Sequence, residues 1–152
     1  MQNWGPCTWK FFHILAEKIK VESYDKHFPT LWRHFNKICN SLPCPYCSEH
    51  AQIYLRGYKH TQIRNKTMFK QFIYQFHNEV NIKTGKVYIS NDIIQTYENE
   101  RIGEAFNAFY ISWNKVNNTN NMKLLAHEFL RKKTIHDFHI WFYSNLDIFD
   151  MS

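Results

Sequence analysis

Apolar residues recur along this chain at three- and four-residue intervals, the spacing of amphipathic helices rather than strands. Trp9, Phe12, His13 and Ala16 share one such face and follow Trp4-Gly5-Pro6. Proline suits a first helical turn, where its missing N–H is not needed, so a helix over about 6–20 is predicted. Phe28, Leu31, Trp32, Phe35 and Ile38 predict a second over about 26–40, which Leu42-Pro43 stops. A third opens at Cys44 and runs through Ala51, Tyr54 and Leu55 to a stop near Gly57. After a basic, polar loop from Tyr58 to Lys66, Phe69, Phe72, Ile73, Phe76 and Val80 mark a fourth helix over about 67–83, which Gly85 ends. Ser90-Asn91-Asp92 reads as the cap of a shorter fifth helix carrying Ile93, Ile94 and Tyr97.

Beyond Gly103 the character shifts. Ala105 to Val116 and Leu124 to about Trp141 predict two more helices, separated by a loop at Asn117-Asn118-Thr119-Asn120-Asn121. Phe106, Phe109, Trp113, Leu125, Phe129, Trp141 and Phe142 make this region strongly apolar, so it must pack on the bundle or on another subunit. The expected architecture is all-α. An antiparallel four-helix bundle with a short fifth helix occupies residues 1–102, and a helical C-terminal extension occupies 103–152. Only four glycines and four prolines in 152 residues argue against an all-β chain of tight turns.

A net charge of +6 raises nucleic acid as a partner. The basic residues are scattered, however, only Arg131-Lys132-Lys133 forms a run, and no nucleic-acid motif accompanies them, so none is expected. A bound anionic cofactor would also draw on this charge. No stretch approaches the roughly 18 apolar residues of a membrane helix, and the opening Met1-Gln2-Asn3-Trp4 carries no export pattern. A reducing, intracellular setting is therefore expected, and no membrane.

In that setting Cys44-Pro45-Tyr46-Cys47 is a redox couple or half of a metal site. Cys39, Cys44, Cys47 and His50 are ligand types that zinc accepts, which makes a zinc-stabilised Cys3His binding module one reading. Against it, all four crowd together with no second knuckle. The redox reading has physical support, because the pair opens a helix after Pro43. A thiolate there feels the helix's N-terminal partial positive charge, which lowers its pKa. Cys-Pro-Tyr-Cys is also the glutaredoxin tetrapeptide, so a glutaredoxin-like thiol–disulfide reductase is a further reading. Helical patterns stand here on both sides, where that fold places a strand first.

Two other constellations bear on the choice. Trp9 and His13, at i and i+4, share a helical face. His77, Val80 and Asn81 share a face of an otherwise apolar helix, and buried His and Asn need partners. A flat polar ligand held between helices would supply them, and Lys83 and Lys86 just beyond suit a phosphate. Together, Trp4-Gly5-Pro6-x-x-Trp9-x-x-x-His13, Cys44-x-x-Cys47-x-x-His50 and His77-Asn78-x-Val80-Asn81 with trailing lysines resemble the Erv/ALR sulfhydryl oxidases. The likeness runs from about residue 4 to residue 97 and is greatest to the compact forms of large cytoplasmic DNA viruses.

The resemblance implies an FAD-dependent thiol oxidase that forms disulfides in protein dithiols and passes the electrons to O2, giving H2O2. It implies FAD in a helical bundle, with Gly5, Trp9 and His13 contacting it from the first helix. His77, Asn78, Val80, Asn81, Lys83 and Lys86 would surround the adenosine and diphosphate, with Tyr97 over the adenine. Cys47 would face the flavin, Cys44 would meet the substrate, and His50 would lie behind the pair. No metal is expected. The implied partners are protein dithiols or a thioredoxin-like relay protein, and a homodimer is expected. The implied location is the host cytoplasm, in viral factories, and the virion.

The chain departs from the family in carrying no cysteine after Cys47, where many members have further redox or structural pairs. Only Cys7 and Cys39 remain. They lie symmetrically about a turn near residue 23 between the first two helices, which predicts a Cys7–Cys39 structural disulfide at one height of an antiparallel hairpin.

Overall fold

The computed structural model describes residues 3–116 and 122–152. Seven α-helices appear among them: α1 (Trp4–Lys18), α2 (Val21–Asn40), α3 (Pro45–Leu55), α4 (Lys66–Thr84), α5 (Asp92–Thr96), α6 (Ile102–Asn114) and α7 (Met122–Ser144). Single 3-10 turns sit at His60–Gln62, Tyr97–Asn99 and Leu146–Ile148. The all-α expectation holds; the predicted asparagine-rich loop at 117–121 lies outside the described residues.

α1 is apolar nearly all round, and that places it at the centre of the fold. Phe12 and His13 bury toward the bundle, while Phe11, Ile14 and Leu15 bury on other sides. Phe11 stacks on Phe109 at 4.8 Å and meets Phe106, Phe138 and Phe142 edge-on, so α6 and α7 cover the flank that the bundle leaves open. α6 therefore packs along α1, and α7 packs on α2, where His34 lies 5.0 Å from Trp141. The extension packs on its own bundle.

α2 starts five residues before the position that apolar spacing predicts, at Val21 rather than near 26. Its first turns offer one large apolar residue, Tyr24, too little for periodicity to register. Tyr24 is held instead by a tertiary contact, its hydroxyl donating to the Ile63 carbonyl at 2.8 Å. The link between α1 and α2 is only Ile19-Lys20, both extended. The C-terminal segment clasps it: Lys20 N–H donates to the Ile148 carbonyl at 2.9 Å, and Asp150 N–H to the Lys18 carbonyl at 2.7 Å.

Candidate active site

Cys44 and Cys47 form a disulfide at the start of α3, with Cα atoms 5.2 Å apart. Cys44 is the N-cap residue, Pro45 holds the first helical position, and the Cys47 N–H donates to the Cys44 sulfur at 3.1 Å. That bond does for a sulfur what an N-cap oxygen does in other helices: it satisfies an N–H that has no partner within the helix. Just upstream, the Leu42 N–H donates to the hydroxyl of buried Ser48 at 2.7 Å, tying the approach to the helix it opens.

Cys47 lines a cavity of about 640 Å³, within the roughly 300–1,000 Å³ of ligand pockets; Cys44 is half-buried and does not line it. The start of α1 supplies one wall through Trp4, Gly5 and Trp9. α3 supplies another through Tyr46, Cys47 and His50, and α4 a third through Phe76, His77, Val80 and Asn81. Lys83 and Lys86 stand exposed where α4 ends, and Tyr97 closes the side.

His77 on the cavity wall is backed by a second buried histidine, His13. His13 Nε2 lies 2.9 Å from His77 Nδ1, so one ring donates and the other accepts. Trp9 lies flat on His77, with ring centroids 4.2 Å apart and planes 5° apart. Tyr97 lies flat on His13 at 4.9 Å. Burial, and then the His77 charge, pushes His13 down to about 3. Burial, and then Lys86, pushes His77 down to about 4. Both rings are neutral near pH 7, and each then carries one N–H and one acceptor nitrogen, as the hydrogen bond needs.

Two expected cofactor contacts stand elsewhere. His13 does not line the cavity; it acts from behind His77. Asn78 is buried and its amide is fully engaged by Ile89, donating to the carbonyl at 3.2 Å and accepting the N–H at 2.8 Å. It pins the segment after Gly85, whose left-handed φ of 71° reverses the chain at the end of α4. Tyr74 donates to the same Ile89 carbonyl at 3.0 Å. Asn78 thereby shapes a wall, through Ile89, rather than presenting its own amide.

Cys7 and Cys39 are not bonded, contrary to the sequence expectation. The expectation assumed an α1–α2 hairpin in register, but α1 packs chiefly on α6 and α4. Cys39 is buried on the cavity wall, and Cys7 is not part of it. Burial pushes the Cys39 thiol well up, so it stays protonated. With Cys44 and Cys47 joined, the Cys3His zinc set is gone, and no cluster of three or more metal-ligating side chains forms among the described residues. No strand leads into α3, so the glutaredoxin reading loses its fold.

The cavity fits FAD by its chemistry. Trp9, His77 and Tyr97 offer flat faces to a ring system, and the exposed Lys83 and Lys86 can meet a diphosphate. Asn81, 5 % exposed, lines the cavity, where its amide is available to a ligand. Trp4 and Cys39 also line it and were missed from the sequence; Trp4 was legible as part of the first motif, whereas nothing local marked Cys39.

The family profile described as "Erv1 / Alr family" matches residues 6–102. A protein of invertebrate iridescent virus 6, provisionally assigned as FAD-linked sulfhydryl oxidase 347L, is 25% identical over 96 residues, 59% of this chain and 86% of that protein. An FAD-linked sulfhydryl oxidase of African swine fever virus is 32% identical over 91 residues, 59% of this chain and 75% of that protein. No solved structure matches the chain.

Proposed function

The chain belongs to the Erv1/Alr family, and on that premise we propose how this fold works as an FAD-dependent thiol oxidase. The observation that carries the reading is the asymmetry of the disulfide: Cys47 borders the cavity and Cys44 does not. A substrate thiolate attacks the Cys44 sulfur, forming a mixed disulfide and releasing Cys47 as a thiolate toward the cavity. The substrate's second thiolate then attacks its own sulfur of that mixed disulfide, leaving as a disulfide and freeing Cys44 as a thiolate. Both leaving thiolates arise at the positive end of α3, and Cys44 also keeps the Cys47 N–H. Trp9, His77, Asn81, Lys83 and Lys86 would hold FAD, which when bound takes up the two electrons and reduces O2 to H2O2. His13 holds His77 in orientation, and His50 stands on the same wall as Cys47.

The substrates are protein dithiols; a thioredoxin-like relay protein is one form they would take. Exposed Phe129, Ile140 and Tyr143 on α7 support a homodimer through that helix. Residues 1–102 carry the chemistry and 103–152 form the extension. The location proposed with this reading is the host cytoplasm and the virion. No helix among the described residues is long and apolar enough to cross a membrane.

The test is direct. Purified protein should be yellow, and oxygen uptake with a small dithiol should vanish in Cys44→Ala and in Cys47→Ala. In Cys47→Ser, the Cys44 thiolate should attack an added oxidised (disulfide) substrate, releasing one substrate thiolate, and the mixed disulfide should accumulate on Cys44 because no second cysteine resolves it. Retained turnover in both alanine variants would refute the assigned roles.

A further inference from the structure

The C-terminal extension reaches the cofactor cavity through a buried polar relay. The Trp113 indole N–H on α6 donates to the Thr8 hydroxyl at 2.7 Å, and that hydroxyl donates to the Trp4 carbonyl at 2.6 Å. Trp113 is 1 % exposed and Thr8 is 3 % exposed, so water does not compete for the bond between them. An indole N–H can only donate; the hydroxyl must therefore accept from it and can send its single proton only to Trp4. The relay thus has one direction, and each bond polarises the next.

The first turn of α1 needs such support. Asn3, at the N-cap, makes no side-chain capping bond. Gly5 brings backbone freedom to the turn. Yet Trp4, Gly5, Pro6, Thr8 and Trp9 all line the cavity. This wall rests on backbone that no capping side chain fixes at the helix start.

We propose that Trp113 is a positioning residue for the cofactor cavity, fixing the first turn of α1 through Thr8 and the Trp4 carbonyl. It stands outside the residues 6–102 that carry the family match, so the extension completes the oxidase unit. Packing alone would make α6 a cover. The relay makes it part of the binding site. The inference rests on the FAD reading above for its ligand but not for the relay itself.

The test compares Trp113→Phe, which keeps an aromatic six-membered ring and removes the donor with the smaller ring that carries it, with Phe109→Leu, which thins the same α1–α6 contact without touching a polar atom. FAD titrated into deflavinated protein should bind Trp113→Phe about three- to tenfold more weakly, the worth of one buried hydrogen bond. Phe109→Leu should lower the urea midpoint while FAD affinity stays within about twofold. Amide exchange at residues 7–9 of the apo-protein should rise about fivefold in Trp113→Phe and not in Phe109→Leu. If Trp113→Phe fails to fold, Thr8→Val breaks the relay from its other end at equal volume and should show the same losses. Unchanged FAD affinity with unchanged exchange in these variants overturns the proposal, as does equal weakening by Phe109→Leu. If the wild-type chain takes up no FAD, the oxidase reading fails and the exchange measurement alone decides whether the relay holds the turn.

Discussion

Acidifying the apo-protein from pH 7 to pH 5 should cost it stability through the buried histidine pair. His13 and His77 have folded-state values of about 3 and about 4, lowered from 6.5 by burial and neighbouring charge. A group whose folded pKa is depressed contributes stability that is fully present above its unfolded value and is lost as pH falls. The window opens at 6.5 and closes near 4 for His77 and near 3 for His13. At pH 5 the unfolded chain has taken up nearly one proton on each residue and the folded chain almost none. Linkage then gives about 2 kcal/mol per histidine. The rings share one hydrogen bond and one buried site, so the pair together contributes about 2–4 kcal/mol. Against the 5–15 kcal/mol typical of a domain this is large. Urea unfolding of the deflavinated protein at the two pH values should show it, and His13→Gln should lose roughly half of the difference. Histidine side-chain NMR should show both rings untitrated down to pH 5. A ring that titrates between 6 and 7, or a pH loss undiminished in His13→Gln, would sink the reasoning.

Three further outcomes follow from the same geometry. Alkylation of the native, unreduced protein should leave Cys39 unmodified, and denaturation without reductant should expose two free thiols; mass spectrometry showing a Cys7–Cys39 bond would contradict the structure. Asn78→Leu should lower stability by about 1–3 kcal/mol, because the Ile89 N–H loses its partner and its carbonyl keeps only Tyr74, and should weaken FAD binding through the displaced wall, read by urea unfolding and flavin titration. Gly85→Ala should cost about 1–2 kcal/mol in urea unfolding, since a Cβ meets no neighbour there but the left-handed φ penalises it.

Much of the fold was legible because helices advertise themselves locally. The face of α2 from Phe28 to Ile38 and the face of α4 from Phe69 to Val80 are written in residue spacing, and both buried as read. The starts of helices were harder. α2 begins at Val21 because Tyr24 reaches Ile63, a contact 39 residues away that no local window contains. The site followed the same division. Trp9, His77, Val80 and Asn81 line the cavity where their helical faces predicted. Asn78, one residue from His77 in the same motif, points to Ile89 instead, because a helix turns about 100° per residue and sends neighbours to different surfaces.

What the amino-acid order determined by itself was the set of amphipathic helices, the disulfide-capable pair at the head of α3, and the motif residues that identify the family. Those depend on periodicities and spacings within a few turns of one helix. Only the tertiary structure decided what covers the open flank of α1 and which sulfurs stay apart. These rest on contacts between segments far apart in the chain, such as Phe11 with Phe109 and Trp113 with Thr8. Their geometry is set by the joint packing of many side chains, and no single stretch of sequence carries it.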